Sequence, residues 1–152
     1  MPRTLDHDYI NELIERLSSI PEDAKPAWGS MTPPQLMGHL AAVVRLSMGR
    51  GPELKSVATF MSRNIMRPLV LSGIVPIPKN LPLPKPVNPD EVFGMEEGDI
   101  ESFHALLMDY LAKVETGDIT PPEHAALGNI GIDGWAKLHV AHFEYHCKQF
   151  GV

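Results

Sequence analysis

WAKLHVAHFEYHCKQF, at residues 135–150, combines apolar residues at helical spacing with three histidines. The apolar residues recur three and four positions apart, which predicts a helix from about Asp133 to Phe150. A helix of a small globular protein turns one stripe of its surface towards its neighbours. The stripe predicted for this helix consists of Trp135, Leu138, His142, Tyr145 and Gln149.

The three histidines of this segment are His139, His142 and His146. At about 100° per residue, they fall within roughly a 60° arc of one helix face. Side chains four positions apart sit about 5–6 Å apart at Cβ, so the imidazoles of His142 and His146 could share one metal ion. Neutral histidines on or beside a buried face need a partner, which is either a hydrogen bond or a metal.

The same period predicts four more helices, at about Asp6–Ser19, Pro33–Met48, Glu53–Leu71 and Gly98–Glu115. The second of these has the clearest start. Thr32 is followed by Pro33 at the first helical position and by Gln35 three positions after the cap, which is the pattern of a capping box.

Between the third and fourth of these helices, residues 74–96 carry prolines at positions 76, 78, 82, 84, 86 and 89. So many prolines exclude a helix, and the alternation that a central strand needs is absent. We expect an extended arm laid over the helices, as a lid or as a dimer contact. No other run indicates a strand, so the sequence predicts a single all-α domain over residues 1–152.

His39 is a single histidine on the apolar side of the second predicted helix, three positions after Leu36 and four before Val43. If this helix and the last helix are neighbours, His39 can meet His142 and His146 across the bundle. Three nitrogen ligands plus water form an open metal site, the arrangement that catalytic zinc sites favour.

Several of these residues also have simpler interpretations. His39 could be a hydrogen-bonded core residue, and His139 is a competing candidate that could hydrogen-bond a ligand, line a pocket or face water. Cys147 is expected to be a small buried residue rather than a nucleophile. Glu144 lies about 160° around the helix from His142, so we identify no general base.

The composition argues against several classes of function. The 152 residues carry a formal net charge of −6 with scattered basic residues, which argues against a nucleic-acid surface. The N-terminus lacks the apolar core of a signal peptide, and Arg63, Arg67 and Pro68 interrupt the most hydrophobic stretch, so no membrane span is predicted. The single cysteine excludes an internal disulfide, and we expect a cytoplasmic protein.

Two motifs resemble the DinB-like superfamily. WGSMTPPQLMGH, at residues 28–39, resembles the second-helix entrance of DinB-like proteins, in which a Met-Thr start precedes an inward metal histidine. At the other end, Trp135 is followed by the pair His142 and His146 and by QFG at residues 149–151. This arrangement resembles an uncharacterised branch of the same superfamily.

Two further similarities to this branch, PKNLP at residues 78–82 and the loop at residues 123–128, extend the resemblance over most of the chain. The resemblance implies an antiparallel four-helix bundle, here with an additional helix and the proline-rich arm as a crossover. It implies a divalent metal ion, zinc or nickel, that is held by His39, His142 and His146. It also implies a homodimer.

The activities of the superfamily include metal-dependent transfer reactions that use low-molecular-weight thiols, and also hydrolysis. The resemblance therefore implies a small-molecule substrate, such as a thiol, without fixing one reaction. Tyr145 stands where the branch often has another histidine, and His124 precedes Ala125 where a His-Pro pair is usual. Together with His139, these two residues are candidates to line the pocket or to support the ligands.

Two alternatives to a metal enzyme stay open. The chain could be a non-catalytic, dimeric helical module with a structural or vestigial metal site, or a metal-free bundle whose histidines satisfy one another. An open coordination position that faces a pocket would favour the enzyme, and a closed site would favour the structural module.

Overall fold

The computed structural model describes residues 3–50, 64–65, 67–72, 96–122, 124 and 127–152. Its helices, in chain order, are α1 His7–Ser18, α2 Pro33–Ser47, α3 Arg67–Leu71, α4 Ile100–Thr116 and α5 Gly131–Gln149. These residues contain no strand, and their one β-type feature is an isolated antiparallel bridge between His124 and Gly128. The predicted all-α class is thus confirmed for the described part of the chain.

The starts of α2 and α4 follow from capping chemistry. The Gln35 backbone N–H donates to the Thr32 hydroxyl at 3.3 Å, and the Thr32 N–H donates to the Gln35 side-chain oxygen at 3.0 Å. Asp99 accepts a hydrogen bond from the Ser102 N–H at 2.8 Å and caps α4. These bonds satisfy backbone donors that a helix leaves free in its first turn.

Two glycines lie at helix ends that the sequence predicts, one at the end of α4 and one at the start of α5. Gly117, predicted to end α4, has a φ of 73°, a left-handed conformation that glycine adopts without strain. α5 begins at Gly131, two residues before the predicted start, and Ile130 makes no side-chain capping bond there. Because this start carries no capping residue, the sequence pattern alone places it too late.

The core lies between the four longer helices. α4 packs against α1 and α2, while α5 packs against α1, α2 and the short α3. The most deeply buried apolar side chains of the four helices include Ile10, Leu13, Leu36, Leu40, Leu107 and Phe143. Burying each such side chain contributes about 1.5–3 kcal/mol. This packing sets α2 beside α5, which is the condition that a site shared by the two helices requires.

Two glycines allow the backbone before α4 to lie directly on α2. A Cβ atom on Gly38 would collide with the carbonyl oxygen of Glu96, and one on Gly98 would lie 2.8 Å from the Gly38 nitrogen. The Gly98 N–H donates to the Pro34 carbonyl at 2.8 Å. The backbone at residues 96–98 therefore packs directly against α2 at Gly38, one position before His39.

Two predictions concern segments that lie mostly outside the described residues. Of the helix predicted at Glu53–Leu71, the described residues include α3, Arg67–Leu71. The remainder of that helix is almost wholly outside the described residues, and so is the arm predicted at 74–96, apart from Glu96. Within the described residues, no helix is both long enough and apolar enough to cross a membrane.

Candidate metal centre

The buried face of α5 differs from the predicted stripe. Its larger buried side chains are Trp135, His139, Val140, Phe143, His146, Cys147 and Gln149. Leu138, His142 and Tyr145 of the predicted stripe are partly buried, and each contacts a neighbouring element. The physical reason is that α5 is contacted by α1, α2 and α3, so its buried surface is broad rather than a narrow apolar stripe.

Three imidazoles from two helices converge at one point. The Nε2 atom of His142 lies 3.0 Å from Nε2 of His39 and 3.0 Å from Nε2 of His146. One ring nitrogen of each residue lies within 4.8 Å of the other two. The structure therefore brings together the three residues that the sequence predicts as metal ligands.

Two of the three spacings between these nitrogen atoms can be compared directly with those around a metal ion. At metal–nitrogen distances of about 2.0–2.1 Å, neighbouring ligands of a tetrahedral or octahedral ion lie about 2.8–3.4 Å apart. The two Nε2–Nε2 distances of 3.0 Å fall within that range, and the third pair lies within 4.8 Å. In the part of the chain that the structure describes, no carboxylate or thiol joins this group. The donor set of the group is thus made of imidazole nitrogens.

Gln149 fixes the protonation of one of the three rings. Its side-chain Nε2 donates to the Trp28 carbonyl oxygen at 2.8 Å, so its Oε1 faces Nδ1 of His146, 2.7 Å away. An amide oxygen only accepts hydrogen bonds, so Nδ1 of His146 carries the proton. In neutral His146, Nε2 then presents its lone pair to the other two histidines.

Hydrogen bonds alone satisfy this arrangement poorly. If Nε2 of His142 is protonated, it has one hydrogen for two nitrogen neighbours. If it is unprotonated, its lone pair faces the lone pair of His146. In either case, at most one of the two 3.0 Å contacts is a full-strength hydrogen bond. A cation would use all three lone pairs, so the geometry disfavours a bundle whose histidines satisfy one another.

Burial keeps these imidazoles in the neutral form. It lowers the pKa of His39 to about 3, and the nearby His146 adds to the shift. Burial also lowers the pKa of His142 well below its usual value, with smaller contributions from the neighbouring histidines. It lowers the pKa of His146 against the opposing effect of the Gln149 hydrogen bond. Because metals bind neutral imidazole, the three rings are in the binding form at neutral pH.

A family comparison bears on this site. The model of a family described as a protein of unknown function, DUF1569, matches residues 1–151. The chain belongs to the DUF1569 family. No curated protein and no solved structure matches it. The expectation of an uncharacterised family over most of the chain is confirmed.

His139, a candidate pocket residue, lies in the core of this DUF1569 chain. The Ser47 hydroxyl donates to the Val44 carbonyl at 2.7 Å, so its oxygen accepts from the Nε2–H of His139, also at 2.7 Å. Nδ1 of His139 is then unprotonated, buried and without a hydrogen-bond partner among the described residues. The ring stacks on Phe143 and lies edge-on to Tyr110. His139 thus ties α5 to α2 through the core.

Tyr145, the second candidate, contacts the site through its ring. The ring lies edge-on to His146 with a centroid distance of 5.0 Å. Its hydroxyl accepts a hydrogen bond from Nε1 of Trp28 at 2.9 Å. Tyr145 therefore supports the wall behind His146 and joins it to the α1–α2 connection.

His124, the third candidate, belongs to the turn before α5. Its Nδ1 accepts a hydrogen bond from the Leu127 N–H at 3.0 Å, and its ring lies 5.4 Å from the Trp135 ring. Burial lowers its pKa to about 4. These contacts place it near the start of α5, whereas His142 and His146 lie further along that helix.

Glu144 belongs to an ion pair with α1. It accepts hydrogen bonds from Arg16 at 2.9 and 3.1 Å and from the Tyr9 hydroxyl at 2.8 Å. Burial favours the protonated carboxyl, but the bonds from Arg16 and Tyr9 hold the pKa of Glu144 below its usual value. Cys147 is buried, as expected, and burial raises its pKa to about 11. Neither residue joins the three histidines.

The sequence interpretation missed the partners that orient these rings. Gln149 follows His146 by three positions on the same helix, and this spacing is a signal that could have indicated a contact. Ser47 and Trp28 reach α5 from other elements. Their contacts depend on tertiary packing, which no local pattern gives.

Proposed function

We propose that this chain binds one divalent metal ion, zinc or nickel, through the Nε2 atoms of His39, His142 and His146. The observation that carries the proposal is that Nε2 of His142 lies 3.0 Å from Nε2 of both His39 and His146, in a group that hydrogen bonds alone satisfy poorly. Imidazole nitrogen is a good ligand for both ions. The resemblance of two sequence motifs to the DinB-like superfamily supports the same three ligands.

The proposed activity is a metal-dependent transfer reaction of the DinB-like type, with a low-molecular-weight thiol as one substrate. Three protein ligands leave a coordination position for a small molecule. When bound, the ion would acidify a thiol or a water that shares it. A thiol needs no protein base under these conditions, which suits a group that no described carboxylate joins. Hydrolysis is the alternative reaction, and it would call for such a base.

The burial of the three residues favours an open site. His39 and His142 are partly buried, and His146 is buried. Because Nδ1 of His142 is itself buried, we propose that a small molecule reaches the group from the side of His39. This distribution favours an enzyme over a structural module, whose metal is normally closed off by protein ligands. The proposal also includes a cytoplasmic location and a homodimer. Sedimentation velocity of the full chain would test the dimer.

Elemental analysis of protein purified without a histidine tag tests the metal. We expect about one divalent ion per chain in the wild type and on the order of a tenth of that in His39→Ala, His142→Ala and His146→Ala. The matched control is His7→Ala, because His7 is an exposed histidine on α1. Wild-type metal content in all three ligand variants would contradict the proposal.

Thiol binding tests the activity. Nickel-loaded protein titrated with glutathione or cysteine should develop a thiolate-to-nickel charge-transfer band, because the thiol would occupy the open position. His146→Ala provides the control for thiol that reacts with free nickel. A loaded wild type that shows no such band would instead favour the non-catalytic helical module with a structural metal.

A further inference from the structure

The side chain of Gln149 lies between the Trp28 carbonyl and Nδ1 of His146 and hydrogen-bonds to both. We infer that Gln149 is a positioning residue, which holds His146 protonated at Nδ1 so that Nε2 is free to bind an ion before the ion arrives. The effect on metal affinity rests on the proposed function. The protonation of His146 itself concerns the metal-free chain and can be measured separately.

Three hydrogen bonds anchor the α1–α2 connection to the end of α5. The Ala27 N–H donates to the Gln149 backbone carbonyl at 2.7 Å. The Gln149 side chain donates to the Trp28 carbonyl at 2.8 Å, and Nε1 of Trp28 donates to the Tyr145 hydroxyl at 2.9 Å. The last turn of α5 is therefore held from outside the helix, next to His146.

Of the two possible orientations of the Gln149 side-chain amide, one is favourable. Gln149 is only 5% exposed, so its amide groups have little water to replace a lost partner. A flipped amide would set its oxygen against the Trp28 carbonyl and its NH₂ group against the Nδ1–H of His146, and both contacts would be repulsive. Gly29, with a φ of 76°, allows this close approach, since a Cβ there would lie 3.2 Å from Nε2 of Gln149.

The alternative form of His146 would close the site. With the proton on Nε2, His146 would donate to Nε2 of His142, which lies 3.0 Å away. Nε2 of His146 would then have no lone pair for an ion, and the lone pair of His142 Nε2 would be taken up by the hydrogen bond. Partners that fix the protonation and orientation of a ligand imidazole typically raise metal affinity by about 10–100-fold.

Three variants measure this effect through the dissociation constant for Zn²⁺. Gln149→Leu removes the acceptor at similar volume and should weaken Zn²⁺ binding by about 10–100-fold. Gln149→Glu keeps an acceptor oxygen beside Nδ1 but sets its second oxygen against the Trp28 carbonyl, so it should recover part of that affinity. Lys148→Leu is the matched control, because Lys148 is an exposed neighbour of Gln149 on α5, and this variant should bind Zn²⁺ as the wild type does.

Nitrogen NMR of the metal-free protein gives a readout that loss of packing alone would not move. In the wild type, ¹⁵N shifts of His146 should show a protonated Nδ1 and an unprotonated Nε2, and Gln149→Leu should reverse or mix the two. A wild type protonated at Nε2, or a Gln149→Leu variant with unchanged shifts and affinity, would overturn the inference. A wild type with the expected shifts that binds no Zn²⁺ would contradict the proposed function while supporting the role of Gln149.

Discussion

His139 and His146 lie two turns apart on the same helix and are both buried, yet their surroundings differ in kind. His139 points its N–H at Ser47, and its remaining nitrogen faces apolar and aromatic side chains. His146 points its N–H at Gln149, and its remaining nitrogen faces two other imidazoles. The difference lies in where each lone pair is directed, since burial is common to both residues.

This comparison shows that a buried histidine is not in itself a metal ligand. A single lone pair in an apolar pocket gives an ion one ligand and no compensation for its lost hydration. Three lone pairs directed at one point give it most of a coordination sphere. The candidate site is therefore defined by the hydrogen bonds on the far side of each ring, which decide which nitrogen stays free.

Acidification should have the largest effect, and it should affect both environments. Burial lowers the pKa of His139 to about 3 and that of His124 to about 4, below the value of 6.5 for an unfolded chain. A lowered folded pKa gives stability that is complete above pH 6.5 and is lost as the pH falls below it. Each residue should cost about 2 kcal/mol between pH 7 and pH 5, and the three converging histidines act in the same direction.

Chemical denaturation at pH 7, 6 and 5 in the presence of a chelator measures this loss for the metal-free chain. The control is His139→Leu, whose unfolding free energy should fall less steeply with pH than that of the wild type. A wild-type unfolding free energy that stays constant over this range would show that the buried imidazoles are not held neutral.

Metal removal should separate the two environments. An ion present at 1,000 times its dissociation constant stabilises the folded state by about 4 kcal/mol, so chelation should lower the melting temperature by roughly 8–16 °C. His146→Ala should show no chelator-dependent shift, whereas His139→Ala should retain one from a lower starting point. Thermal unfolding with and without chelator tests this, and an equal response of both variants would remove the distinction between the two histidines.

Truncation of His139 should lower stability without removing the metal. His139→Ala deletes a fully buried ring that packs on Phe143 and Tyr110, and it should destabilise the fold by about 2–4 kcal/mol. Metal content should stay at the wild-type level, because His139 does not face the three converging Nε2 atoms. Urea denaturation and elemental analysis of one preparation measure both quantities. Loss of metal in this variant would place His139 in the site.

Ser47→Ala should have the smallest effect. It leaves the buried N–H of His139 without its acceptor and should cost about 1–3 kcal/mol. In a double-mutant cycle with His139→Leu, the cost of Ser47→Ala should largely vanish, because the N–H is already absent. Additive free energies would mean that the Ser47 contact contributes nothing specific to the core.

The fold was largely predictable because its signals are local. Thr32 with Gln35 fixes the start of α2, Gly117 ends α4, and the helical period places the long helices within about two residues of their observed bounds. The start of α5 carries no capping residue and was accordingly placed late.

The convergence of the three histidines was predictable for a related reason. A histidine pair one turn apart and an isolated inward histidine are visible in the sequence, and the resemblance to DinB-like proteins joins them. The hydrogen-bond partners were not visible, since Ser47 and Trp28 meet α5 only after the helices pack. The breadth of the buried face of α5 likewise depends on the number of its neighbours, which periodicity does not count.

The glycine crossing at Gly38 and Gly98 limits how the candidate site can move. A rotation of α2 about its long axis would carry His39 away from α5. It would also push the backbone of α2 into the backbone at Glu96, which packs directly against Gly38. Loading and release of an ion should therefore proceed through rotation of imidazole side chains, on a backbone that stays in register. The rate of metal exchange would then depend on the rotation of side-chain torsion angles rather than on changes in the packing of the helices.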